Sequence, residues 1–138
     1  MELADTSAWT NRHRSESVRR DFDARLSERQ IATCGPVVFE LLILERDADA
    51  VRTRRDALEA LRDVAIGERV WRRAFDVLET VAALGPLHHR QLRLPDLLIA
   101  AAAERAELPV LHYDRHFELI ASVTGQDVRA LAPLGSLP

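Results

Sequence analysis

Apolar residues follow two alternating spacings along the chain, and this alternation predicts an α/β fold. Short apolar runs of strand length occur at residues 1–4, 30–34, 110–113 and 128–131. Segments with apolar residues three and four positions apart, the spacing of a helix, cover residues 17–28, 36–44, 48–64, 68–84 and 94–108, with another helical face after residue 114. Strands that alternate with helices favour a parallel sheet covered by helices.

The segment from Leu94 to Phe117 is the most informative part of this pattern. Pro95 suits the first turn of a helix, where its missing N–H is not needed, and Asp96 is stabilised there by the helix dipole. Residues 97–103 are apolar on every side, which predicts a helix covered by protein. A short buried strand at 110–113 then ends at Asp114. We therefore expect Asp96 and Asp114 to face one crevice at the edge of the sheet.

Composition narrows the class of protein without identifying its chemistry. The 138 residues suit a single domain, and the net charge of -3 gives no overall basic field that would attract nucleic acid. Every basic residue other than histidine is arginine, whose guanidinium can bind phosphate through two donors. Cys34 is the single cysteine, so no disulfide is expected. Without a signal pattern or membrane-spanning run, we expect a cytoplasmic protein with no membrane partner.

Four acidic residues coincide with predicted strand ends and helix starts. Asp5 and Asp114 follow strands, Asp96 begins a buried helix, and Glu40 lies in a helix with apolar neighbours three and four positions away. Each residue alone has an ordinary explanation, such as capping a helix. Together they would share one edge of a parallel sheet, where carboxylates repel one another unless a cation neutralises them. An all-oxygen site of this kind favours Mg²⁺ or Mn²⁺.

At these residues the chain resembles a PIN-domain ribonuclease of the VapC type, the toxin of bacterial toxin–antitoxin pairs. The resemblance is carried, in chain order, by Asp5–Trp9, Glu40, Leu94–Ala100 and Val110–Phe117. It spans essentially the whole chain. It therefore implies a single PIN-like domain of residues 1–138, a three-layer α/β/α sandwich around a small, mainly parallel sheet.

The resemblance also implies a function and a set of site residues. It implies Mg²⁺- or Mn²⁺-dependent endonucleolytic cleavage of RNA by metal-activated water, a homodimer, and a VapB-type antitoxin that covers the active site. The implied catalytic residues are Asp5, Glu40, Asp96 and Asp114. Of these, Asp5, Asp96 and Asp114 would bind the metal, with Thr6 and Ser7 supporting the acids.

The chain departs from the family pattern at His116. Many relatives have another acid at this position, two residues after the last aspartate, so we expect one bound ion rather than two. Candidate RNA contacts are Arg12, Arg90, Arg93, Arg115 and His116. For Arg12, Arg90 and Arg93, a solvent-exposed polar loop is the alternative.

The helices around residues 48–84 are a candidate arm for binding a protein partner. Trp71 and Phe75 widen the apolar stripe of this segment, and burial in the core is the alternative explanation for both. Two other functions stay open at this point. One is a catalytically silent PIN-like module that binds RNA or protein, and the other is a metal phosphohydrolase that acts on a small phosphate ester.

Overall fold

The fold is built on one sheet of five parallel strands, described by a computed structural model of residues 1–138. The strands are β1 (Glu2–Ala4), β2 (Ile31–Thr33), β3 (Arg62–Asp63), β4 (Val110–His112) and β5 (Val128–Ala130). The helices are α1 (Thr6–Asn11), α2 (Glu16–Ser27), α3 (Gly35–Leu42), α4 (Ala48–Glu59), α5 (Glu68–Ala82), α6 (Leu94–Arg105) and α7 (Arg115–Thr124). Two short 3₁₀ turns lie at Arg12–Arg14 and His88–Gln91. The predicted α/β/α class with a parallel sheet is confirmed.

The order of the strands places a crevice at the centre of the sheet. The order is β3-β2-β1-β4-β5, with β1 bonded to β2 on one side and to β4 on the other. Chain connections therefore run outward in opposite directions from β1 and β4. In open parallel sheets, ligands bind beyond the carboxyl ends of the strands at such a switch point. The residues that directly follow β1 and β4 are Asp5 and Asp114.

Helix α6 is enclosed by other elements, as its uniformly apolar sequence predicts. Every residue from Leu97 to Ala103 is buried. The helix contacts α3, α5 and α7 as well as strands β1 and β4. Small alanine side chains permit this close approach, and the packing fixes Asp96 at the start of the helix above the switch point.

The predicted helix over residues 48–64 is too long. Helix α4 ends at Glu59, and Arg62 and Asp63 then form the edge strand β3, which pairs with β2. The N–H of Val64 extends this pairing by donating to the carbonyl of Thr33 at 2.8 Å. Both strand residues are exposed and charged, so no apolar alternation marks the strand in the sequence. Backbone pairing with β2 decides the structure here.

The helices of the predicted partner arm do not pack as a pair. Helix α4 contacts α3, whereas α5 contacts α6 and α7. On α5, Val70, Val77 and neighbouring residues are buried, but Trp71 is 39% exposed and Phe75 is 62% exposed. Their rings lie 6.2 Å apart and form an apolar surface pair rather than part of the core. None of the seven helices is both long and apolar enough to cross a bilayer.

Candidate functional site

Two aspartates stand at the switch point because each ends a strand and begins a helix. Asp5 follows β1 and caps α1, its Oδ2 accepting from the N–H of Ser7 at 2.9 Å. Asp114 follows β4 and caps α7, its Oδ1 accepting from the N–H of His116 at 2.9 Å. The capping explanation is therefore correct for both residues, and the same geometry holds both carboxylates at one edge of the sheet.

Asp96 is completely buried at the first turn of α6 and is held on two sides by Arg93. Its Oδ2 accepts from the backbone N–H of Arg93 at 3.2 Å, which is the acidic half of a capping box. Its Oδ1 lies 3.3 Å from the guanidinium Nη2 of Arg93, and Nη1 of the same arginine is 3.7 Å from Oε2 of Glu40. One exposed arginine therefore lies against two of the four predicted acids.

Thr6 and Ser7 link the acids to one another and to the sheet. The hydroxyl of Ser7 donates to Oδ2 of Asp5 and accepts from the N–H of Tyr113 at 2.9 Å, which ties the end of β1 to the end of β4. The hydroxyl of Thr6 donates to Oε1 of Glu40 at 3.0 Å. These bonds fix two carboxylates relative to each other although the chain separates them widely.

Glu40 is half-buried, and only some of the apolar residues predicted to surround it lie in the core. Val37 is fully buried one turn before it, but Ile43 is 69% exposed and Leu44 also faces solvent beyond the end of α3. The expectation that Glu40 is enclosed by an apolar stripe is therefore wrong on its carboxyl-terminal side. The contacts with Thr6 and Arg93, rather than apolar burial, determine its position.

Asp5 carries the clearest electrostatic signal in the site. It is 3% exposed, and its Oδ1 has no hydrogen-bond partner. Burial raises the pKa of Asp5 to about 6, against the hydrogen bonds from Ser7, and the carboxylates of Asp96 and Glu40 raise it further. A buried carboxylate oxygen without a partner is costly unless a cation neutralises it. The residues present therefore fit a bound cation.

Three ligand atoms of Asp96, Asp114 and His116 lie within 4.8 Å of one another. Nδ1 of His116 is 3.2 Å from Oδ2 of Asp96 and 3.4 Å from Oδ1 of Asp114. Asp5 is outside this group but is coupled to it through Asp96. Sequence reasoning placed His116 among RNA contacts and did not consider it as a ligand. The available signal was its position two residues after the last aspartate, where many relatives have another acid.

The remaining predicted RNA contacts lie in different surroundings. Arg115 is exposed at the start of α7, and Arg90 is exposed in the 3₁₀ turn before α6; neither forms an ion pair. Arg12 packs over the rings of Trp9 and Phe22, at 5.1 Å and 5.3 Å from their centroids. Its guanidinium also donates to the carbonyl of Trp9. RNA contact by these arginines stays a prediction.

Both the sequence and the fold are similar to those of known proteins. Residues 3–123 match the sequence profile of the PIN domain. Ribonuclease VapC18 of Mycobacterium tuberculosis is 38% identical over 133 residues, covering 96% of each chain. Ribonuclease VapC21 of the same species is 36% identical over 138 residues, covering 97% of this chain and 96% of the relative. A toxin–antitoxin complex from Klebsiella pneumoniae has a similar fold, with a TM-score of 0.66 and 19% identity over 96% of this chain and 98% of that one.

Proposed function

The chain belongs to the PIN-domain family as a relative of the VapC ribonucleases, and from this we propose that it is a metal-dependent endoribonuclease, the toxin of a VapBC-type pair. The observation that carries the proposal is the convergence of Asp5, Asp96 and Asp114, with Glu40, at the switch point of a parallel sheet. The unpaired Oδ1 of buried Asp5 supports a cation among them.

Asp5, Asp96 and Asp114 are the residues that we propose to hold Mg²⁺ or Mn²⁺. Carboxylate oxygens are the ligands these hard ions prefer. A divalent ion there supplies Lewis-acid activation of water and of the scissile phosphodiester. Capping and hydrogen bonds already hold each of the three carboxylates at this edge of the sheet. Asp5 lies outside the group of ligand atoms formed by Asp96, Asp114 and His116, so binding all three carboxylates to one ion requires Asp5 and that group to move closer together.

We assign two tasks to the side chains around the metal-binding acids: orienting the RNA and accepting the proton of the attacking water. Glu40, held by Thr6, has a partly exposed carboxylate that we propose as the base for the attacking water. Asp96 raises the pKa of Arg93 by its charge, so this guanidinium stays protonated and can donate to phosphate oxygens. Exposed Arg90 and Arg115 extend the positive surface along the RNA backbone. An RNA substrate also implies that the protein acts in the cytoplasm.

For partners, we propose a VapB-type antitoxin and a homodimer. The exposed ring pair of Trp71 and Phe75, within the arm of residues 48–84, supports a protein-binding surface on α5. Replacing both rings with serine should lower the oligomeric mass measured by light scattering or release a co-expressed antitoxin. Retention of both complexes would remove this surface from the proposal.

The test of the proposed activity compares Asp96→Asn with Asp76→Asn, an exposed acid on α5. Purified protein free of antitoxin should cleave RNA with Mn²⁺ or Mg²⁺ and lose activity with a chelator. Asp96→Asn should abolish cleavage and growth inhibition while keeping the fold, because the change removes charge and leaves the shape of the side chain. Intact RNA under all metal conditions would contradict the proposal, and turnover of a simple phosphate ester instead would favour a phosphohydrolase.

A further inference from the structure

His116 is held beside the acids by the turn that begins α7. Asp114 caps this helix by accepting from the backbone N–H of His116 at 2.9 Å, so the two residues share one rigid turn. The His116 ring then reaches across to α6, where Nδ1 lies 3.2 Å from Oδ2 of Asp96. Its side chain is 18% exposed, which leaves the site open to ions from solvent.

The distances around Nδ1 match those between neighbouring ligands of one ion. Ligand atoms about 2.1 Å from an octahedral ion and at right angles to each other lie roughly 3 Å apart. Nδ1 of His116 lies 3.2 Å from Asp96 Oδ2 and 3.4 Å from Asp114 Oδ1, and all three ligand atoms lie within 4.8 Å of one another. Two edges of this triangle therefore have about the length expected between neighbouring ligands of one octahedral ion, and the third joins two carboxylate oxygens no more than 4.8 Å apart.

A second observation, on a residue outside this cluster, also supports a bound cation. Asp5 is almost completely buried, its Oδ1 has no partner, and it feels the charge of Asp96. The guanidinium of Arg93 donates to Asp96. It does not pair with Oδ1 of Asp5, which has no hydrogen-bond partner. A cation beside Asp96 would serve both acids.

We propose that His116 is a metal ligand through Nδ1, so that this site has mixed nitrogen and oxygen ligands and selects Mn²⁺ over Mg²⁺ more strongly than carboxylates alone. The inference deepens the proposed function and depends on its metal site. Imidazole nitrogen suits transition metals, whereas Mg²⁺ prefers oxygen and water. An ion bound to Nδ1 requires the ring proton to be on Nε2.

The simpler role for His116 is a hydrogen bond from Nδ1–H to Oδ2 of Asp96, which would orient that carboxylate without binding metal. The two roles predict different spectra. A ligand nitrogen couples directly to the electron spin of bound Mn²⁺, while a hydrogen-bonded ring outside the coordination sphere does not give that coupling. The measurement therefore separates ligation from positioning without reference to RNA cleavage.

The experiment uses the purified full chain loaded with Mn²⁺ alone. Pulsed electron paramagnetic resonance records ¹⁴N coupling, and continuous-wave titration gives affinities for Mn²⁺ and, by competition, for Mg²⁺. His116→Ala and His116→Asp are compared with His88→Gln, an exposed histidine outside the cluster. We expect ¹⁴N coupling in the wild type and the control, and none in either His116 variant.

The expected affinities follow the same reasoning. His116→Ala should bind Mn²⁺ at least about tenfold more weakly, since even indirect partners of a metal cost that much when removed. His116→Asp should keep Mg²⁺ binding and lower the preference for Mn²⁺ over Mg²⁺. Bound Mn²⁺ without ¹⁴N coupling, or coupling that survives both His116 variants, would overturn this inference and leave an oxygen-only nuclease site. Failure of the wild type to bind Mn²⁺ at all would overturn the proposed metal site itself.

Discussion

Asp5→Asn should make the metal-free protein more stable at neutral pH, although it removes a proposed metal ligand. The pKa of Asp5 rises from 3.8 to about 6, mainly because the carboxylate is buried. A shift of about two units corresponds to about 3 kcal/mol of free energy that disfavours the charged form in the folded state. Asparagine is neutral and can still cap α1 by accepting from Ser7, so the variant avoids this cost.

The effect depends on pH with a definite sign. Because the folded pKa lies above the unfolded one, the folded protein binds more protons between about pH 4 and 6, and Asp5 lowers stability as pH rises through this window. The variant amide brings its own cost of about 1–2 kcal/mol, since its Nδ2 is buried where Oδ1 has no partner. We therefore expect Asp5→Asn to be about 1–2 kcal/mol more stable than wild type at pH 7, with this advantage lost toward pH 4.

Urea unfolding with a chelator present, from pH 4 to pH 8, measures this difference. Asp76→Asn is the control, because that exposed carboxylate belongs to no buried cluster. Adding Mn²⁺ at 100 times its dissociation constant should stabilise the wild type by about 2.7 kcal/mol and stabilise Asp5→Asn less. An Asp5→Asn protein that is no more stable than wild type at pH 7, or a difference that does not change with pH, would refute the reasoning.

Three further predictions concern Cys34, Glu2 and the ends of the RNA products. Burial raises the pKa of the Cys34 thiol to about 12, so a disulfide reagent at pH 8 should label this cysteine only in denaturant, and rapid labelling of folded protein would contradict its burial. Glu2 is bound by Arg25 at 2.7 Å and by Arg129 at 2.7 Å at the end of β1 remote from the acids, so Glu2→Gln should cost about 1–3 kcal/mol in urea unfolding without reducing RNA cleavage. RNA products should carry 3′-hydroxyl and 5′-phosphate ends, because water and not the ribose supplies the attacking oxygen; a 2′,3′-cyclic phosphate detected by mass spectrometry would exclude this route.

Much of the fold could be predicted because its elements have strong local signals. The buried runs that became β1 and β4 and the uniformly apolar α6 are visible as patterns of side chains. Strand β3 is not, because Arg62 and Asp63 are charged and exposed and are strands only through pairing with β2. The exposure of Phe75 was also hidden, since helical spacing shows which residues share a face and not what covers that face.

The candidate site also contains residues whose positions could be predicted from the sequence and residues whose positions could not. Asp5 and Asp114 could be placed from topology alone, because parallel strands send their carboxyl ends to one edge. The position of Glu40 depends on Thr6 and Arg93, which come from other elements, and apolar spacing misrepresented its surroundings. The role of His116 depends on the side-chain conformation that brings its ring against Asp96, and the sequence does not predict that conformation.

The same topology that assembles the site also makes the metal-free site costly. Asp5 and Asp114 come together because they follow adjacent strands. The guanidinium of Arg93 contacts Asp96 and Glu40, and the ring of His116 contacts Asp96 and Asp114. Asp5 keeps an unpaired buried oxygen and has a raised pKa. The proposed divalent cation would supply positive charge beside these acids. Stability and metal binding should therefore change in opposite directions at Asp5, as expected for a residue positioned for function.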